Sequence, residues 1–164
     1  MTAGLSARLA ACASYSWRGD GSVPPFPDSH AVIVFDGVCV MCSAFARFVA
    51  TRDGARRFRF VPAQSRLGTA INRHFGLDPI DYETNLLIEN GSPCAKLEAV
   101  AGILRHLGPG WRLAANLMRI PPAVVRDWLY DRVAKNRYAR FGRYERCIVP
   151  DASWRDRLTE DRGD

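Results

Sequence analysis

The segment Val34-Phe35-Asp36-Gly37-Val38-Cys39-Val40-Met41-Cys42 decides how this chain is read. Just before it, Val32-Ile33-Val34-Phe35 is a short apolar run rich in β-branched and aromatic side chains, the pattern of a strand buried on both faces. Asp36-Gly37 stops that run. After it, Met41, Phe45, Phe48 and Val49 recur at i, i+4, i+7 and i+8, which predicts an amphipathic helix reaching about Thr51. A Cys-x-x-Cys pair therefore falls between a buried strand and the first turn of a helix. The first turn has N–H groups without intrahelical partners and the positive end of the peptide dipoles. A thiolate there is stabilised, and its pKa falls below the free value of about 8.5. Cys39 is predicted to be the more acidic thiol. Cys42, one turn further on, is placed to reach the Cys39 sulfur and resolve a mixed disulfide.

Other chemistries fit these residue types. Half of a zinc site has the same spacing, but a four-ligand site needs two further Cys or His, and Cys94, Cys147, His30, His74 and His106 form no second close pair. No metal and no cofactor is expected. The two cysteines also suit a purely structural pair. Asp36 is open to three readings: a helix cap, a proton acceptor for Cys42, or a phosphatase-like nucleophile. Against the last, Val38 stands where such sites place a second Asp. Gly37 is expected to supply a backbone conformation closed to other residues.

Working outward, Asp53-Gly54 ends the helix, Phe58-Arg59-Phe60-Val61 reads as a second strand halted by Pro62, and Ser65 begins a helix running towards Phe75-Gly76. Gln64 and Ser65 thus follow the second strand, at the end of the sheet where Cys39 is delivered. They either line a pocket beside the cysteines or serve only as loop ligand and helix cap. Thr84 to Ile88 reads as a third strand, Asn90-Gly91 as a turn, and Pro93 to Lys96 as a fourth strand. Leu97, Val100, Ala101, Leu104 and Leu107 repeat at helical spacing before Gly108-Pro109-Gly110. The order is β-α-β-α-β-β-α. Leu113, Leu117 and Ile120, then Val124, Val125, Trp128, Leu129, Val133 and Ala134 after Pro121-Pro122, predict two extra C-terminal helices. Residues 1–30, rich in Ala, Ser, Gly and Pro, read as a flexible leader, residues 31–150 as the domain, and residues 151–164 as a polar tail.

These residues resemble the DCC family of thiol-disulfide oxidoreductases, named for the Asp and two Cys that match Asp36, Cys39 and Cys42. The resemblance extends to Phe60-Val61-Pro62-Ala63-Gln64-Ser65, to Ile120-Pro121, to the run from Ala134 to Gly142, and to Cys147. It implies an α/β, thioredoxin-like core and a redox role, in agreement with the order of elements read independently. The departures from thioredoxin are specific. Tyr82-Glu83-Thr84 has no proline before the third strand, Pro79 is too early, and Val40-Met41 replaces the Gly-Pro between the cysteines. The implied partners are a disulfide-containing protein or a small thiol, with an electron donor that the sequence does not name. Cys147 fits either a structural cysteine or a third redox thiol.

Composition bounds the alternatives. With 164 residues, 48% hydrophobic and 24% charged, the chain can bury a core without disulfide staples. No run of 18 apolar residues occurs, so no transmembrane segment is expected. Leu9-Ala10-Ala11-Cys12 looks like the end of a lipoprotein signal, yet only three residues separate Arg8 from Cys12, too few for a secretory apolar stretch. Cysteines without an export signal point to a reducing, cytoplasmic setting. The formal charge is +6, and Arg119 to Cys147 holds eight basic and three acidic residues. Asn136-Arg137-Tyr138 and the arginines after it are read as a cap over the cysteines. Nucleic-acid binding is disfavoured because no complete binding motif accompanies them. The competing function is a non-catalytic binding module with structural or metal-linked cysteines and a basic C-terminal surface.

Overall fold

The computed structural model describes residues 4–78, 84–147, 152 and 154–159. Its elements are α1 (Leu5–Ala10), β1 (Ala31–Phe35), α2 (Val40–Arg52), β2 (Phe58–Pro62), α3 (Arg66–His74), β3 (Leu86–Glu89), β4 (Ser92–Ala95), α4 (Lys96–Leu104), α5 (Pro109–Met118) and α6 (Ala123–Phe141). The sheet order is β2-β1-β3-β4. β1 pairs parallel with β2, with Ile33 opposite Phe60, and antiparallel with β3, with Ile33 opposite Leu87. β3 and β4 form the hairpin that Asn90-Gly91 turns. This is the thioredoxin-like α/β arrangement, with α5 and α6 as the extra C-terminal helices.

Period-two alternation puts apolar side chains on both faces of the sheet. Val32, Val34, Val61, Leu86 and Ile88 face Leu67, Ile71 and Phe75 of the α3 segment. Ile33, Phe35, Phe58, Phe60 and Leu87 face Ala46 and Val49 of α2 and Ala99 and Ile103 of α4. Each aliphatic or Phe side chain so buried contributes about 1.5–3 kcal/mol relative to exposure. Gly68 lets α3 sit directly on the end of β2, since a Cβ there would lie 2.1 Å from the Pro62 carbonyl oxygen. α3 is therefore locked beside the loop that carries Gln64.

Several boundaries differ from the sequence reading. β3 starts at Leu86, because Thr84 and Asn85 are engaged from the side: Lys96 N–H donates to the Thr84 hydroxyl at 3.0 Å, and Asn85 N–H to the Tyr130 hydroxyl at 3.1 Å. Pro79, Tyr82 and Glu83 lie outside the described residues. The segment read as a flexible leader is packed where it is described: Leu9, Trp17 and Val23 are buried in the α3-side core, with Leu5, Tyr15 and Phe26 against it. Its widely spaced large apolar side chains cover a sheet face that α3 alone leaves partly bare. The segment read as a polar tail returns too. Trp154 is buried against Phe60 and Phe35, at ring-centroid distances of 5.2 and 6.4 Å.

Arg157 follows Trp154 inward and meets Asp53 at 2.8 Å, with both side chains nearly inaccessible at 3% and 1% exposure. Asp53 also accepts the Phe58 N–H at 3.0 Å and so ties the end of α2 to the start of β2. Breaking such a pair strands a buried charge. Arg157→Ala is expected to destabilise the protein by about 3–5 kcal/mol, read from urea unfolding. A loss below 1 kcal/mol would show that the C-terminal segment is not held by this pair.

Candidate active site

The site begins where β1 delivers the chain to α2. Cys39 is the N-cap of α2, and its Sγ accepts the Cys42 backbone N–H at 3.2 Å. Cys39 has no exposed surface and Cys42 only 5%. The Cys39 thiol is lowered to about 7, chiefly because the Cys42 thiol donates to it; the Cys42 N–H and the Arg137 charge add to this, while burial and the Asp36 charge oppose it. The Cys42 thiol is pushed far up by that same hydrogen bond, by its burial and by the neighbouring Cys39 charge. The pair is thus one acidic thiol and one thiol held protonated.

Asp36, 2% exposed, is the hub beside them. Its Oδ1 accepts the Val38 N–H at 3.1 Å and the Gln64 Nε2 at 2.6 Å. Its Oδ2 accepts the Tyr138 hydroxyl and an Arg137 N–H, the latter at 3.2 Å. The cap reading of Asp36 is corrected: sulfur caps α2, and Asp36 instead closes the turn through Val38. Gln64 is engaged at both amide atoms, its oxygen accepting the Gly37 N–H at 3.0 Å. Ser65 caps α3 by accepting the Gly68 N–H at 3.0 Å and donates to the Pro62 carbonyl at 2.7 Å, so its hydroxyl is committed to the helix.

Gly37 is also corrected. It is not among the glycines with left-handed φ. A Cβ there would lie 2.2 Å from Cys147 Sγ and 3.2 Å from Gln64 Oε1, so the position needs glycine for space. Cys147 is half-buried and packs directly on the turn that precedes Cys39. The chain reaches it through a cover segment after α6. Val40 N–H donates to the Gly142 carbonyl at 3.4 Å, Tyr144 N–H donates to the Val38 carbonyl at 2.8 Å, and Arg143 bridges Cys39 in antiparallel fashion. Cys94 is pushed up to about 12 by burial on β4.

Sequence reading placed the Asn136-Arg137-Tyr138 segment over the cysteines but not its contacts. Arg137 is 4% exposed, and its guanidinium lies over the Tyr138 ring at 4.6 Å, with that of Arg143 at 5.3 Å. Helical phase puts Arg137 on the same side of α6 as Arg126 and Tyr130, but the charges on that side carry no sign that it is the buried one. Ser43, whose hydroxyl donates to the Gly37 carbonyl at 3.2 Å, was missed altogether. A cleft of about 570 Å³ opens on Arg137 and Tyr138 and is lined also by Arg8, Asn72, Thr84 and Lys96. Among the described residues no three His, Cys, Asp or Glu side chains gather as a metal site would require.

Comparison with known proteins identifies relatives. The family model for DCC1-like thiol-disulfide oxidoreductases matches residues 33–143. A chloroplastic DCC family protein of Arabidopsis thaliana is 37% identical over 120 residues, covering 73% of this chain and 70% of its own. The uncharacterized protein YuxK of Bacillus subtilis is 34% identical over 129 residues, covering 79% of this chain and 93% of its own. No solved structure matches.

The electrostatics predict opposite shifts from the two charges beside Cys39. The pH profile of its alkylation by iodoacetamide, followed by mass, is expected to have a midpoint near pH 7. Asp36→Asn removes a negative charge that opposes the thiolate and moves the midpoint down. Arg137→Gln removes a supporting positive charge and moves it up. Identical midpoints in all three proteins would show that the network does not tune the thiol.

Proposed function

This chain belongs to the DCC1-like thiol-disulfide oxidoreductase family, and from that premise we propose that it exchanges disulfides through Cys39 and Cys42. The observation that carries the reading is the asymmetry of the pair: Cys39 caps α2 with its thiol lowered to about 7, and Cys42 is held protonated one turn behind it. A nucleophile with a pKa near ambient pH balances thiolate fraction against intrinsic nucleophilicity.

In the proposed cycle the Cys39 thiolate attacks one sulfur of a substrate disulfide. A Cys39–substrate disulfide forms and the other substrate sulfur leaves as a thiolate. Cys42 then loses its proton and attacks the Cys39 sulfur, releasing the second substrate thiolate and leaving the Cys39–Cys42 disulfide. Two electrons pass from the pair to the substrate, and a second dithiol or a thiol pool returns them. We assign Asp36 as the proton acceptor for Cys42; its charge acts on Cys42, and Tyr138, whose hydroxyl donates to its Oδ2, is among the residues that line the cleft. Gly37 and Gln64 hold that carboxylate and the turn in place, and Ser65 fixes the helix that follows. Because Cys39 has no exposed surface, a substrate reaches it when the cover segment from Gly142 to Tyr144 releases its two hydrogen bonds. The substrate is a disulfide-containing protein or a small disulfide. We place the reaction in a reducing compartment, cytoplasmic by the reading of the sequence, although the Arabidopsis relative is described as chloroplastic.

A glutathione redox titration with alkylation and mass analysis tests the reading. Wild type is expected to interconvert between dithiol and Cys39–Cys42 disulfide, Cys42→Ser to accumulate a mixed disulfide on Cys39, and Cys39→Ser to form neither. Asp36→Asn is expected to slow release of the mixed disulfide while leaving its formation intact. A pair that stays reduced throughout, or that purifies with stoichiometric zinc lost in Cys39→Ser, would instead favour a binding module.

A further inference from the structure

α6 is inverted relative to an ordinary surface helix, which turns its apolar stripe to the core and its charges to water. The side of α6 that meets the domain is polar. Arg126 pairs with Glu98 of α4 at 2.6 Å, Asp127 accepts the Ser6 hydroxyl at 3.2 Å, Asp131 pairs with Lys96 at 2.8 Å, and Arg137 pairs with Asp36. The side that faces away carries Val124, Trp128 and Val133, exposed at 81%, 60% and 48%, with Val125 and Leu129 beside them. The apolar surface continues into Ile120, Leu117 and Leu113, exposed at 73%, 55% and 61%. Glu98 binds both Arg119 and Arg126, which ties the end of α5 to the start of α6 and makes these residues neighbours around one elbow. Single exposed apolar residues are ordinary; a connected group of this size marks an interaction surface.

Charge selects the occupant. Both acids of α6 are engaged from the domain side, Asp127 by the Ser6 hydroxyl and Asp131, its side chain 44% exposed, by Lys96. The exposed charges of α5 and α6 are Arg112, Arg132, Lys135 and Arg140, and none of them makes an ion pair with a described residue. A second copy of this chain would set cations against cations. Trp and aliphatic side chains interleaved with cations that make no such pair, on a helix whose two acids are both engaged elsewhere, complement a bilayer with negatively charged headgroups. We propose that the outer face of α5 and α6 is a peripheral membrane-docking surface for anionic lipid. Ile120, Val124 and Trp128 enter the boundary between headgroups and acyl chains, and Arg132, Lys135 and Arg140 lie against the headgroups. No described helix is long and apolar enough to cross a membrane, so the contact is made in the plane of the interface. The 19-residue α6 is roughly 28 Å long, and its outward apolar residues, Val124 to Val133, occupy about half of that length.

Flotation of the full chain with vesicles tests this. With equimolar phosphatidylcholine and phosphatidylglycerol the protein is expected to float at low salt and to be released as salt rises. Phosphatidylcholine alone is expected to retain far less. The double variant Trp128→Ser/Leu129→Ser should weaken partitioning at least about tenfold, and Arg132→Gln/Lys135→Gln/Arg140→Gln by about fivefold per charge. These positions face outward, so unchanged thermal melts will show that the fold is kept. Cys39→Ser should float like wild type, which separates this surface from the redox reading. Three results would overturn the proposal: no flotation of wild type at low salt, binding indifferent to both sets of substitutions, or a dimer by light scattering that Trp128→Ser/Leu129→Ser dissociates.

Discussion

A single buried carboxylate organises this protein. Asp36 lies at the end of β1 and gathers the turn before Cys39, the loop after β2 and the last helix through Val38, Gln64, Arg137 and Tyr138. Taking a carboxylate and a guanidinium out of water costs several kcal/mol per ion, and that cost is recovered only when nearly every lone pair and N–H is matched. Here both carboxylate oxygens are doubly engaged. The same arithmetic makes the arrangement intolerant: a neutral residue at either 36 or 137 leaves its former partner charged in a dry site. α6 is therefore docked by matched polar groups where most helices are docked by apolar burial, which fixes its rotation about its own axis.

The same network sets the chemistry of the thiols. Arg137 favours a Cys39 thiolate and Asp36 disfavours it, so the two charges of the buried pair act in opposite directions at the sulfur. The chief cause is local: the Cys42 thiol donates to Cys39 from the first turn of α2, and the Cys42 amide does so as well. The chief causes of the Cys39 acidity thus lie in the strand, turn and helix start, and Arg137, far along the chain, adjusts it through its charge. Gly37 joins the two, because only a residue without a side chain lets Cys147 and the cover segment close over the turn.

That division explains what the sequence disclosed. The order of strands and helices, the placement of Cys39 and Cys42 and the nearness of Asp36 were legible, because each is written in a local pattern of alternation, helical period or turn residues. The partners of Asp36 were not, since Arg137 lies 101 residues away and arginine on a charged helix gives no sign of burial. The role of Gly37 was misread because glycine signals both left-handed backbone and close approach, and only the position of Cys147 distinguishes them. The packed N-terminal segment escaped notice for a related reason. Its Leu9 and Trp17 are too widely spaced to form a periodic stripe, yet each fills the core on its own.

The inverted helix was half visible. Val124, Val125, Trp128, Leu129 and Val133 form a stripe that sequence reasoning assigns to the core by default, and Arg126, Asp131 and Arg137 form one that it assigns to solvent. What reverses the assignment is the presence of three fixed opposite charges on the domain, Glu98, Lys96 and Asp36, in register with the three on the helix. Each residue turns the helix by about 100°, so a slip of one position would swing Arg137 away from Asp36 and separate the other two pairs at once. The pairs therefore specify a rotation that apolar packing alone would oppose. The orientation that completes the thiol site is the one that leaves the apolar stripe outside, and the outer surface and the buried carboxylate are two faces of one constraint.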